Sequence, residues 1–327
     1  YCDHVFAVGD RIGDELRFVD PHFQTMGLDL VYNGIPAGAV STAQRADSRD
    51  RLGLYAESLF GERPTWLLSH VCRPVVSKGI WRDLAVLHEL EPRLVERGET
   101  CVYFMLGTLA GKRRTPDVRQ MERVYGWPVA HERGYPDLCG GEEILGEMFD
   151  VFNRDHAAVR AVLVNQWGWS RQACGDRMSE EMTFADLRRG TDLEFGLSIY
   201  EPFGISQFEP LASGAMCVVS NVCGCMGLAQ REAGADGFDD NIIVGDFLGV
   251  TGSPSVDELV RMPARQRNEI EAAEARRLAR LIDDKLPRDD ETVARRLARG
   301  QQLAERMSWQ RVVADYILPS VQRASET

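Results

Sequence analysis

The sequence lacks the features that would assign it to a membrane or nucleic-acid-coating class. No apolar run approaches the roughly 20 residues that a helix needs to cross a bilayer. The chain carries 38 lysines and arginines against 50 aspartates and glutamates, a formal net charge of -12, so it has no general excess of basic residues for phosphate contacts. An anionic ligand would have to be held by a few local cations and backbone amides.

The eight cysteines form no regular framework, and the six histidines show no metal-ligand spacing. The one tight group is Cys217, Cys223 and Cys225, and no matching pair of ligands occurs elsewhere in the sequence. Most cysteines lie in apolar segments, as Cys101 does, which favours buried free thiols in a reducing compartment. We therefore predict a cytoplasmic protein that uses no metal ion or other cofactor.

The 327 residues begin with Tyr1 and not with methionine. The opening segment YCDHVFAVGDRIGDEL reads like a strand and a helix from the middle of a protein, so we expect a fragment of a longer chain. With 44% hydrophobic and 27% charged residues, the composition is typical of a globular protein with a sizeable core.

Short apolar segments alternate with amphipathic ones along most of the chain. The apolar segments are continuous, as in strands covered on both faces, and predict strands at 28–32, 65–72, 100–107, 158–166, 193–199, 217–222 and 241–245. Periodicity and capping residues predict helices from Ser41 or Thr42 towards Phe60, and at 79–98, 142–152 and 183–190. The alternation indicates βαβ units, hence an α/β fold with a doubly wound, Rossmann-like parallel sheet.

Two regions differ from this pattern. From about residue 254 the chain is rich in alanine, arginine and glutamate with helical spacing, which predicts additional solvent-facing helices packed on the domain. Region 108–141 reads as loop-rich and receives no assignment.

Two glutamates flank a turn in the segment SIYEPFGISQFEPLASGA, residues 198–215. Glu201 follows the predicted strand 193–199, and parallel sheets bind ligands beyond the carboxyl ends of their strands. Gly204 allows close approach of the backbone to a ligand, and a helix predicted to start near Ile205 would offer free N–H groups to an anion. Glu209 lies about one turn further on.

A second cluster has the complementary charge. Arg73 follows the predicted strand 65–72, and Lys78-Gly79 opens the next helix, so two cations lie at a strand-to-helix loop. Such cations can neutralise a diphosphate, including the charge that develops on a leaving nucleoside diphosphate. Carboxylates would accept hydrogen bonds from hydroxyls on either side of that diphosphate, as in a nucleotide sugar.

Four segments, in this order, resemble retaining glycosyltransferases of the GT-B fold, in the family 4 and glycogen synthase group. VYNGIPAG resembles the start of their donor-binding domain, CRPVVSKG their Arg-x4-Lys-Gly element, and EPFGISQFE their E-x7-E element. MSWQRVVADYILPSV, residues 307–321, is similar to their closing helix. The resemblance implies the tail of an otherwise absent N-terminal acceptor-binding domain at 1–25, a nucleotide-sugar-binding domain at 26–302 and a crossover helix at 303–327.

The resemblance also implies an activity, which is transfer of a hexosyl unit from a nucleoside diphosphate sugar to an acceptor hydroxyl with retention of configuration and without a metal. Arg73 and Lys78 would contact the diphosphate, and Glu201 would face the transferred sugar; these three would be catalytic. The remaining donor contacts would be the backbone amides around Phe203, Gly204 and Ile205, with Glu209 bonded to the ribose. The implied partners are a nucleotide sugar and a carbohydrate or other hydroxyl acceptor, with no nucleic acid.

One departure and three alternatives remain. Pro210 follows Glu209 where the family commonly has alanine, and a proline there removes one helical hydrogen bond. A nucleotide-sugar epimerase or a phosphorylase-like enzyme could use the same fold, although no lysine has the apolar context that a pyridoxal lysine needs. A non-catalytic sugar-nucleotide-binding module is the alternative from another functional class.

Overall fold

The computed structural model describes residues 4–234, 238, 241–249 and 255–326. Two short strands near the start, β1 (Val5–Ala7) and β2 (Leu28–Leu30), pair in parallel with each other. A larger sheet of six strands is built from β3 (Trp66–Val71), β4 (Cys101–Leu106), β5 (Val159–Val164), β6 (Leu193–Gly196), β7 (Met216–Ser220) and β8 (Ile242–Gly245).

Helices connect and cover these strands. Before β6 they are α1 (Asp10–Val19), α2 (Thr42–Phe60), α3 (Ile80–Glu96), α4 (Thr115–Tyr125), α5 (Glu142–Asp155), α6 (Arg171–Cys174) and α7 (Phe184–Gly190). After β7 they are α8 (Cys225–Ala233), α9 (Val256–Val260), α10 (Ala264–Lys285), α11 (Asp290–Arg306), α12 (Trp309–Val312) and α13 (Leu318–Glu326). No helix in the described part of the chain has the length and hydropathy of a membrane span.

All strand pairs of the large sheet are parallel, and their order is β5-β4-β3-β6-β7-β8. The chain therefore builds outward from β3 to one edge, returns to pair β6 with the other side of β3, and builds to the opposite edge. The direction of winding reverses between β3 and β6, and a crevice opens at such a switch point. The predicted doubly wound parallel sheet is confirmed.

Both faces of this sheet are buried, which explains the continuous apolar strands. Leu68 and Tyr103 point to the face that α3, α5 and α10 cover, while their neighbours Leu67 and Phe104 pack on the other face against α2 and α4. Because successive side chains of a strand point to opposite faces, a strand covered twice has no polar face.

The structure differs from two predictions about local elements. The predicted strand 28–32 exists as β2, but it pairs with β1 and lies outside the six-stranded sheet. The helix predicted from Ile205 is wrong, because residues 206–208 form turns and only a five-residue 3-10 helix, Glu209–Ser213, follows. An α-helix through Ile205 would need an amide hydrogen that Pro210 lacks and would bring its ring against the preceding turn.

Candidate functional site

The switch point is formed by the loops that leave β3 and β6. The two strands pair only at Leu68 with Leu193 and at Ser69 with Glu194. Beyond these residues the loops remain in contact, because the amide of Ile199 donates to the carbonyl of Ser77 at 2.9 Å. The two segments that carry Arg73, Lys78 and Glu201 thus lie side by side at the switch point, and we call the space at their outer edge the crevice.

The loop after β3 places its two cations differently. Arg73 is exposed, and its side chain has no hydrogen-bonding or ionic partner among the described residues. Lys78 ends a short 3-10 helix, Val76–Lys78, and Gly79 then turns the chain into α3 with φ of 63°. A Cβ at Gly79 would lie 2.5 Å from the carbonyl oxygen of Leu197, so glycine is required both for the left-handed backbone and for the contact between the two loops.

Lys78 and Glu201 meet across the crevice in an ion pair between Nζ and Oε2. Their side chains are 20% and 11% exposed, so the pair is partly shielded and still open to a ligand. The backbone of Glu201 is held from the next loop, because the amide of Gly224 donates to its carbonyl oxygen at 3.0 Å. Glu201 is therefore fixed by groups other than the lysine that it neutralises.

The turn after Glu201 offers backbone donors. Gly204 has φ of 87°, and Phe203 is buried with its carbonyl oxygen accepting a hydrogen bond from the amide of Cys225 at 2.8 Å. The amides of Phe203, Gly204 and Ile205 donate to no other described residue. Three successive amides at this turn thus have no partner among the described residues, although no helix begins there.

Glu209 lies at the start of the 3-10 helix, and its carboxylate contacts an arginine of α7. Arg188 of α7 places Nη2 at 2.8 Å from Oε2 of Glu209 and Nη1 at 3.0 Å from Oε1 of Glu194. Burial would lower the pKa of Arg188, but the charges of Glu194 and Glu209 outweigh it and raise that pKa, so the guanidinium is protonated at any physiological pH. Glu194 in turn accepts hydrogen bonds from Ser69 Oγ and, at 2.8 Å, from the amide of Val71.

The structure therefore brings Lys78 and Glu201 into contact, keeps Arg73 unpaired in the same loop, and connects Glu209 to β3 through Arg188 and Glu194. The last two residues were missed in the sequence. Glu194 had a signal, since it is a charged residue inside the apolar strand LEFG. Arg188 had none, because its burial depends on the packing of α7.

A polar cleft of about 430 Å³ adjoins Glu201. Cys223 and Gly224, which contact the backbone of Glu201, line one side, and Asp10 and Arg11 at the start of α1 line the other. The cysteines of this region are free thiols: the seven described cysteines make no disulfide, and Cys217, Cys223 and Cys225 are all buried. The prediction of buried free thiols is confirmed for these three.

The arrangement suits a ligand with a negative centre and hydroxylated ends. A diphosphate could take hydrogen bonds from Arg73, Lys78 and the unpartnered amides, which together supply charge and direction. Carboxylate oxygens accept hydrogen bonds from hydroxyl groups, so Glu201 and Glu209 could bind sugar on either side.

Comparison with known proteins supports the fold. No family model matches the sequence, and a sequence search of curated proteins finds no match. Solved structures of GT-B glycosyltransferases do match: the UDP-forming trehalose-phosphate synthase of Burkholderia xenovorans has a TM-score of 0.57 at 12% identity, over 99% of this chain and 62% of that one.

Two further matches are similar in extent. Anabaena HepE, solved in complex with UDP and glucose, has a TM-score of 0.51 at 14% identity, over 100% of this chain and 62% of that one. The sucrose-phosphate synthase of Thermosynechococcus elongatus has a TM-score of 0.50 at 15% identity, over 100% and 60%. The chain thus spans about three fifths of the length of these structures, and its α/β fold with a parallel sheet is the fold of their Rossmann-like domains.

Proposed function

We propose that the crevice between β3 and β6 binds a nucleoside diphosphate sugar, and that the protein transfers its hexosyl unit to an acceptor hydroxyl with retention of configuration. The observation that carries this proposal is the Lys78–Glu201 ion pair across the switch point, next to unpartnered amides and the unpaired Arg73. The fold that the chain shares with solved GT-B glycosyltransferases supports the proposal, and the resemblance of its motifs to the family 4 and glycogen synthase group is the reason for proposing retention.

The ion pair has a direct role in this reaction. A diphosphate entering the crevice competes for Lys78, because a doubly charged anion attracts the ammonium more strongly than one carboxylate does. Lys78 and Arg73 then stabilise the charge that develops on the leaving nucleoside diphosphate, as a divalent cation would. Glu201, released from the lysine, faces the hydroxyls of the transferred sugar.

The bonds formed and broken in the proposed reaction balance. The bond between the anomeric carbon and the diphosphate oxygen breaks, the acceptor oxygen bonds to the same face of that carbon, and the acceptor proton passes to the leaving diphosphate. Product anomeric configuration, read by NMR, tests retention. Activity that survives a strong chelator tests metal independence, and loss of activity that Mg²⁺ restores would contradict it.

Binding is the first test. Calorimetry of the intact protein with UDP-glucose, ADP-glucose and GDP-mannose should show one preferred donor. Lys78 is one of only three lysines, with Lys112 and Lys285, so mass spectrometry can follow acylation of each amine separately. The preferred donor should protect Lys78 from acylation and leave the exposed Lys112 reactive. No binding to any donor, or binding without protection of Lys78, would contradict the proposal.

A further inference from the structure

Arg188 is a buried cation with a carboxylate on each side. Its side chain is 8% exposed, that of Glu194 is 0% exposed, and that of Glu209 is 26% exposed. Of the three groups, only Glu209 is therefore open to a ligand from solvent. The arginine lies between a carboxylate that belongs to the sheet and one that belongs to the candidate site.

The inner carboxylate is itself immobilised. Ser69 Oγ and the amide of Val71 both donate to Glu194, and both belong to β3. Ser69 also contacts the hydroxyl of Thr191 at 2.9 Å. Because β3 carries the loop with Arg73 and Lys78, the chain of contacts from β3 through Glu194 and Arg188 fixes Glu209 relative to those cations.

The position of the Glu209 carboxylate depends on this chain of contacts. Glu209 begins a 3-10 helix of five residues in which the next residue is Pro210, so no regular α-helix holds it in place. Arg188 occupies Oε2 of Glu209, while Oε1 has no partner among the described residues. One oxygen is thus used for orientation, and the other is free to accept hydrogen bonds from a ligand.

The rest of α7 anchors the arginine. Phe184, at the start of the helix, lies 5.1 Å from the guanidinium carbon. Thr183 and Asp186 form a capping box, and Asp186 also accepts from Ser48 and Arg51 of α2. Arg188 therefore projects from a helix that is bound to its neighbour independently of the crevice.

The geometry points to Arg188 as a positioning residue that turns Oε1 of Glu209 towards the ribose hydroxyls of the bound nucleotide. This inference rests on the proposed function, since it takes the ligand to be a nucleoside diphosphate sugar. Arg188 does not touch the ligand itself; it sets the direction and keeps the charge of the carboxylate that does. The consequence is a specificity for ribose that depends on a residue outside the crevice.

The test compares a nucleotide with and without its ribose hydroxyls. Among UDP, ADP and GDP, the one that the wild-type protein binds best is titrated beside its 2′,3′-dideoxy analogue. Arg188→Gln should weaken binding of the nucleotide about 10-fold and leave the analogue nearly unchanged, because only the first has hydroxyls for Glu209. In turnover assays the change should fall on the donor KM and not on kcat.

A double-mutant cycle tests whether the effect passes through Glu209. In a Glu209→Gln background, Arg188→Gln should cause little further loss, so that the two effects are strongly non-additive. Arg188→Lys, which retains the charge at one of the two carboxylates, should recover part of the affinity. If Arg188→Gln fails to fold, the charge-balanced variant Arg188→Gln/Glu194→Gln replaces it in the same titrations.

A matched control separates positioning from general stability. Arg113 is as buried as Arg188 and pairs with Glu142, and its hydrogen-bonding partners lie outside α7 and the 3-10 helix of Glu209. Arg113→Lys should change the affinities for nucleotide and dideoxy analogue by the same small factor. Equal losses of both ligands in Arg188→Gln, or additive effects in the cycle, would overturn the inference. A wild-type protein that binds none of the nucleotides would instead overturn the proposed function.

Discussion

Two ion pairs lie at the carboxyl edge of the same sheet and differ in what surrounds them. Arg113 and Glu142, both in the connection between β4 and β5, have side chains that are 2% and 0% exposed; we call them the inner pair. Lys78 and Glu201, beyond β3 and β6, are 20% and 11% exposed; we call them the crevice pair. Both join a cation and a carboxylate that are far apart in sequence.

The inner pair has no capacity left for a ligand. Arg113 donates from Nε to the carbonyl of Pro136 at 3.1 Å and from Nη2 to that of Asp137 at 2.6 Å. Burial would raise the pKa of Glu142, but hydrogen bonds from Arg113, Thr108 and the amide of Leu109 outweigh it and lower that pKa. All of these partners belong to the connection between β4 and β5, so the pair holds that connection together.

The crevice pair has few other partners. Beyond the Lys78–Glu201 contact, neither side chain has a further hydrogen-bonding partner among the described residues, and unpartnered donors lie nearby in the turn after Glu201. A charged residue at the carboxyl edge of a parallel sheet is therefore a weak indication of binding. Charged side chains and backbone amides that have no partner in the folded protein are a stronger indication.

Removal of the inner cation, Arg113, should have a larger effect than substitution of the crevice residues, and the effect should be on stability. Arg113→Met leaves Glu142 buried without a partner and should lower the free energy of unfolding by about 3–5 kcal/mol. Urea denaturation followed by circular dichroism measures the change. Activity per folded molecule should be retained.

The control is an exposed pair of the same type. Arg133 and Glu147 have side chains that are 68% and 57% exposed, so Arg133→Met should cost less than about 1 kcal/mol. Equal losses in the two variants would mean that burial does not distinguish the inner pair, and the comparison would fail.

Removal of the crevice carboxylate should have the opposite effect, which is a loss of activity with little change in stability. Glu201→Gln keeps the size of the side chain but removes its charge, and we expect turnover to fall about 10²- to 10³-fold, the loss typical when one group that stabilises transition-state charge is removed. The free energy of unfolding should change by less than about 1 kcal/mol, since the pair is partly exposed. Steady-state kinetics with the preferred donor and thermal denaturation give the two readings.

The matched variant is Glu269→Gln, which removes an exposed carboxylate from α10 whose one ionic partner among the described residues is Arg265 on the same helix. It should leave both turnover and stability unchanged. Near-normal turnover in Glu201→Gln would remove Glu201 from the mechanism.

The main sheet could be predicted from the sequence because its signal is local. Continuous apolar segments mark strands that are buried on both faces, and the six strands of the large sheet lie where these segments predict them. The meeting of Lys78 with Glu201 follows from the same logic, since the loops after parallel strands lie at one edge. Their roles in binding stay a prediction until a ligand is tested.

The features that the sequence did not reveal depend on proline and on tertiary packing. Region 108–141 contains α4, which begins at Thr115 with Pro116 in its first turn, where proline is tolerated and yet reads as a loop signal. Pro210 has the opposite effect, because it lies inside the helix predicted from Ile205. The contact of Arg188 with Glu209 joins two elements whose packing no local pattern indicates.

Substitution of Arg73 should have the smallest effect on the protein, and it tests whether an unpaired cation beside the crevice binds a ligand. Because its side chain has no partner among the described residues, Arg73→Gln breaks no contact and should leave the free energy of unfolding unchanged. It should weaken binding of the preferred nucleoside diphosphate about 10-fold, and calorimetry at two salt concentrations should show a smaller salt dependence than in the wild type. Arg63→Gln removes an equal charge before the start of β3, at the amino edge of the sheet, and serves as the control. If both variants bind the nucleotide equally well, Arg73 adds only to the general field of the protein, and an unpaired cation beside the crevice is no sign of a ligand.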